Sequence, residues 1–111
     1  MGDGQQVWAA AEWVMMIRNC FVRVEEEEHR IILCSGVLPK WLESQEDISF
    51  GPTCTPFGKI SVRIYRHEGK ILVAWDTQWF KEVPHIDICL QGFSKVTASQ
   101  DQTIAQLEKT K

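Results

Sequence analysis

Val7-Trp8-Ala9-Ala10-Ala11-Glu12-Trp13-Val14-Met15-Met16-Ile17 is apolar at every position except Glu12. The spacing of Val7, Ala10, Val14, Ile17 and Phe21, with Trp13, Met16, Cys20 and Val24 on the adjoining face, predicts a helix from Gln6 to Val24. A helix that is apolar all round is normally buried on every side. The residues that follow read mostly as short strands, which can cover one side of it. The chain is therefore expected to need a neighbour, either the rest of a larger protein or a second copy, meeting it through Trp8, Trp13 and Met16.

Downstream, Glu25 to Glu28 would set four negative charges against the negative end of the helix dipole, so the helix is expected to stop near Val24 in a solvated acidic turn. Ile31 to Cys34 is a short β-branched run, Pro39 to Leu42 a helical turn, and Ile48 to Phe50 a brief strand. Gly51 to Gly58 reads as a rigid loop with two prolines. The clearest strands are Lys59 to Arg66 and Lys70 to Asp76, joined across His67-Glu68-Gly69, where glycine supplies the positive φ of a tight turn. Ile60, Val62 and Ile64 share one face, as do Ile71, Val73 and Trp75. Ile86, Ile88 and Leu90 point inward on a last strand, with His85, Asp87 and Cys89 on its other face.

The fold expected from this pattern is α+β, one long N-terminal helix followed by a small antiparallel sheet or half-sandwich of about five strands. Residues 1–93 form a single domain in this reading, with the helix at 6–24 and the β region at 30–93. Residues 94–111 form a polar tail, disordered or weakly helical, with Ile104 and Leu107 as anchors behind a Ser99-x-x-Gln102 capping box.

With 12 basic and 15 acidic side chains among 111 residues, the chain has no electrostatic footprint for a phosphate backbone, so nucleic acid is not an expected partner. The apolar run is too short to span a bilayer and lacks a basic flank before it, so neither membrane anchoring nor export is expected. Cys20, Cys34, Cys54 and Cys89 form no C-x-x-C pair and sit among apolar neighbours, which points to reduced core thiols and a cytoplasmic setting.

No catalytic residue, metal site or cofactor is expected. Glu12 alone on an apolar helix could be a general acid with a raised pKa, but hydrolytic chemistry needs a second group at defined separation. His85, Asp87 and Cys89 offer metal-ligand types, yet alternate residues of one strand stand about 6.5 to 7 Å apart, too far for mutual contact. His67 and His29 read as exposed turn residues, and four consecutive glutamates cannot converge on one ion. Trp41, Trp75 and Trp79, with Phe80 and Tyr65 nearby in sequence, are the candidate binding platform for a sugar or a partner; the alternative, preferred for Trp75 and Trp41, is that they fill the core.

The order of several short motifs resembles the C-terminal end of bacterial six-hairpin, (α/α)6-barrel glycoside hydrolases. These are Val7-Trp8-Ala9-Ala10-Ala11-Glu12-Trp13, Ile17-Arg18-Asn19, Ser35-Gly36-Val37-Leu38-Pro39-Lys40-Trp41-Leu42, Thr55-Pro56-Phe57-Gly58 before the Ile60 to Ile64 strand, and Pro84 before Ile86-Asp87-Ile88. The resemblance implies a last barrel helix running into a small antiparallel domain, with the catalytic carboxylates elsewhere. It implies a non-catalytic C-terminal module or fragment of a carbohydrate-active hydrolase, packed against the remainder of a helical barrel. The alternatives are a self-standing interaction module dimerising through the apolar helix, and a small sugar-binding β module.

Overall fold

Val22 begins a strand where the sequence pattern predicts the last turn of a helix. The computed structural model describes residues 16–44 and 46–110; of these, residues 16–21 are helical and β1 (Val22–Glu25) follows at once. Val22 is fully buried and Arg23 exposed. Over so few residues an alternation of period 2 and a helical stripe look alike, and the β-branched Val22 and Val24 favour the strand. Residues 6–15 of the expected helix, with Trp8, Glu12 and Trp13, lie outside the described residues.

The acidic turn belongs to a hairpin. His29, in the left-handed region at φ 50°, donates its amide to the Glu26 carbonyl at 3.1 Å, and β2 (Arg30–Leu33) runs back antiparallel with Val22 opposite Leu33. A 3-10 helix, Pro39–Ser44, follows, its proline at the first position where no amide donor is needed. Then come β3 (Ile48–Thr55), β4 (Gly58–His67), β5 (Lys70–Trp79), β6 (His85–Ile88), β7 (Val96–Thr97) and β8 (Ile104–Leu107).

The strands form two four-stranded sheets, ordered β1-β2-β6-β7 and β3-β4-β5-β8. The expectation of one long helix with about five antiparallel strands is therefore overturned: the described chain is mainly β, with eight strands in two sheets. Nor is the pairing all antiparallel, since β2 and β6 run parallel, Ile31 opposite Ile86. Parallel neighbours need a crossover. Here it is the 3-10 helix and three strands of the other sheet, a connection invisible to local pattern.

Two further segments depart from expectation. The predicted loop at Gly51 to Gly58 is largely strand: β3 carries Pro52 on a sheet edge, where a missing amide costs no ladder bond, and resumes pairing after a register shift between Phe50 and Thr53. The polar tail contributes two short strands and no helix among its described residues. Val96 pairs with Ile88, and Ile104 to Leu107 pair with Ala74 to Ile71, which buries Ala105 and Leu107. Burying a leucine stabilises by roughly 1.5–3 kcal/mol, and together with the buried Ala105 and the ladder to β5 this offsets the entropy of ordering the segment.

The β4–β5 hairpin matches its prediction, with Val62 opposite Trp75 and Ile64 opposite Val73. Their inward faces meet Val22, Ile31, Leu33, Ile86 and Ile88 of the other sheet in one apolar core. Phe21, the last helical residue, lies stacked on Phe50 at 5.1 Å and 3° between planes, which ties the chain before β1 to β3.

Candidate functional site

Three connections meet at one end of the two sheets. The first is the β3–β4 turn. Buried Thr55 donates its hydroxyl to the Gly58 carbonyl at 2.8 Å, and its Oγ1 accepts from the amides of Phe57 at 3.1 Å and Gly58 at 3.2 Å. A threonine hydroxyl closing its own turn in this way satisfies amides the ladder does not reach. Gly58 is obligatory: its φ is +147°, and a Cβ there would lie 2.3 Å from the Gln78 carbonyl oxygen.

The second connection, the segment after β5, is hung on the first by the Phe80 amide, which donates to the Phe57 carbonyl at 2.9 Å. The third, the β1–β2 turn, is held by the His85 amide donating to the His29 carbonyl at 2.8 Å. Between them opens a cleft of about 480 Å³ lined by Glu26, His29, Pro56, Phe57, Phe80, Lys81 and Glu82. Phe57 is 9% exposed and forms its floor, with the His29 ring 5.7 Å away; Phe80, 65% exposed, stands at its lip. Glu82 lies 3.9 Å from His29 Nδ1, both side chains largely in water, so that pair adds little stability. An apolar floor with a charged rim, built by loops on a rigid scaffold, is the usual form of a recognition site.

Another concavity, about 380 Å³, lies on the outer face of the β3-β4-β5-β8 sheet around Ser49, Ser61, Arg63 and Asp76. Beside it, Arg63 covers the Tyr65 ring at 4.3 Å. It exposes no large apolar side chain, which ranks it below the end cleft as a binding site.

The outer face of the β1-β2-β6-β7 sheet carries a chain of charges. Asp87, 4% exposed, lies 3.3 Å from Arg30 Nε and 3.5 Å from Lys95 Nζ, and Arg30 Nη1 reaches Glu25 at 3.9 Å. Arg30 Nε is buried without an aligned hydrogen bond, so charge rather than geometry holds it to Asp87. The arrangement neutralises a buried carboxylate and is occupied in doing so. Cys89, on this face, has its thiol pKa raised, first by burial and then by Asp87, against the lowering pull of Lys95 and Arg30. Burial, assisted by Cys89, pushes the Cys34 thiol up to about 12. A raised thiol is a poor nucleophile at neutral pH.

The predicted platform residues are dispersed. Trp75, 3% exposed, is part of the core; Trp79 is half-buried at the end of β5 opposite Gly58; Trp41, in the 3-10 helix, sits 6.1 Å from Phe21. Of the predicted interface, Met16 is 61% exposed, while Trp8 and Trp13 fall outside the described residues. His29 is exposed in its turn, and His67, read as a turn residue, is exposed as the last residue of β4, opposite Lys70. All four cysteines are unbonded, but Cys54 is exposed on β3 rather than in a core. Among the described residues no set of three or more His, Cys, Asp and Glu is placed to hold a metal, and no helix is long and apolar enough to cross a membrane. Sequence reasoning sets Phe80 beside the tryptophans of the candidate platform but misses Phe57 as its partner. The signal for Phe80 is a phenylalanine beside Lys81 and Glu82 just past a strand, with no alternation to bury it; Phe57, inside a predicted loop, carries no such signal.

No protein-family model matches this chain, and no curated protein or solved structure shows significant similarity to it.

Proposed function

We propose that this chain is a non-catalytic recognition module that receives a partner in its end cleft. The observation that carries the reading is Phe80: a phenylalanine left 65% exposed, yet fixed by its backbone to the turn that supplies the cleft floor. A phenylalanine held in water at the lip of a rigid concave site offers apolar area that a partner gains by covering. Three chemically capable groups among the described residues support the non-catalytic half. Asp87 is engaged by two cations, and the Cys34 and Cys89 thiols are held protonated.

The test is a two-dimensional NMR titration of the labelled full chain with soluble peptides and with cello-, malto- and xylo-oligosaccharides. Saturable shifts at Phe57, Phe80 and Lys81 are expected for at least one ligand class. Shifts confined to the Ser61–Asp76 face, or none, would overturn the reading. The narrower proposal drawn from the sequence resemblance, an accessory module of a glycoside hydrolase, predicts that the oligosaccharides are the active class and that tryptophan fluorescence follows them. A second copy of the chain is the competing occupant; sedimentation of the Phe80→Ala variant as a monomer where the parent chain is a dimer would favour it.

A further inference from the structure

We infer that the end cleft is a socket for a positively charged, long-stemmed side chain, arginine or lysine, presented by a partner peptide. This rests on the reading of that cleft as a binding site and names what it takes. Two walls carry carboxylates from separate parts of the chain, Glu26 in the β1–β2 turn and Glu82 after β5. Exposed Glu27 and Glu28 stand beside the first. Between the walls lie aromatic surfaces: the Phe57 floor, the Phe80 lip and the His29 ring tilted at 44° to Phe57. Lys81, the one cationic lysine or arginine in the lining, is itself exposed at the rim.

This combination selects among ligands. An anion meets the carboxylates of Glu26 and Glu82. A wholly apolar group covers Phe80 but gains nothing from the Glu26 and Glu82 carboxylates at the rim. A guanidinium or ammonium on an aliphatic stem satisfies both demands. The stem lies along the phenylalanine rings, and the head faces ring π-clouds and carboxylates together. Glu82 is available for this role: its side chain is 80% exposed, and its contact with the solvated His29 ring, at 3.9 Å, is long.

The experiment titrates the full chain with a doubly capped pentapeptide, Gly-Ser-Arg-Ser-Gly, and with the same peptide carrying citrulline, the neutral isostere of arginine. The arginine peptide is expected to shift the amides of Glu26, His29, Phe57 and Phe80. Citrulline and the Phe80→Ala variant should each weaken binding about threefold to thirtyfold, the range for losing an exposed to a partly desolvated cation–π contact. Glu82→Gln should weaken binding and flatten its salt dependence. Both residues are exposed, so neither variant threatens the fold. Equal binding of citrulline and arginine at the cleft overturns the charge selection while leaving the recognition site standing. Failure of the arginine peptide where another ligand shifts Phe80 does the same. Failure of every ligand at the cleft removes both readings.

Discussion

Phe80 donates its backbone amide to the Phe57 carbonyl across 2.9 Å, so the most exposed ring of the cleft and its most buried ring are parts of one framework. The bond joins the segment leaving β5 to the turn entering β4. Since β4 and β5 are already paired from Gly58 opposite Trp79 onward, the contact extends an existing ladder by one step. The cleft is thereby formed before any partner arrives, which lowers the entropic cost of binding.

The Thr55 hydroxyl anchors that framework. Thr55→Val keeps the shape and removes the acceptor for two buried amides, and should destabilise the chain by about 1–3 kcal/mol. Urea unfolding should show a lower midpoint at unchanged slope, together with displaced Phe57 and Phe80 amide resonances. An unaltered midpoint would mean the turn holds without Thr55.

Gly58→Ala meets both a backbone atom and an unfavourable φ, whereas Gly69, at φ +77°, has nothing within 4 Å of a Cβ. The first substitution should cost about 2–4 kcal/mol and the second about 1–2. Thermal melts of the two variants compared side by side would show whether close approach, rather than dihedral strain alone, demands glycine at 58.

Leu107 is 4% exposed and opposite Ile71. If β8 is an integral strand, Leu107→Ala should destabilise by about 2–4 kcal/mol. Amide exchange across 104–107 should then accelerate in step with global unfolding. A near-neutral effect would return the tail to the frayed state its composition suggests.

The thiols should separate by environment. Under limiting iodoacetamide near pH 8, mass mapping should find exposed Cys54 modified first and Cys34, with its thiol near 12, modified last. Because the folded Cys34 pKa lies above the usual 9.0, the folded state holds the proton longer than the unfolded one. That stabilisation is complete below pH 9 and is lost as pH rises toward 12. Cys34→Ala should flatten the alkaline decline in stability, and Cys89, also raised, contributes with the same sign.

Some of this is legible residue by residue. Ile60, Val62 and Ile64 alternate with polar neighbours over a span long enough to exclude a helix, and Gly69 marks the turn, so the β4–β5 hairpin and its buried face can be read directly. Val22-Arg23-Val24 and Ile104-Ala105-Gln106-Leu107 are too short for periodicity to discriminate, so their surroundings dominate the reading: a preceding apolar run in one case, a polar composition in the other. Alternation puts Trp75 on the face of Ile71 and Val73, yet a tryptophan on a buried face and one on a display face carry the same letter. Burial is decided by what lies opposite.

Local order in this protein follows from its amino-acid sequence, because alternation, β-branching and a glycine turn act between residues within a few positions of one another. The parallel contact of Ile31 with Ile86, the burial of Asp87 between Arg30 and Lys95, and the meeting of Glu26, Phe57 and Phe80 were settled only in three dimensions. Each joins segments tens of residues apart, brought together when the two sheets closed over one shared core. No property of any one segment encodes which distant segment will face it.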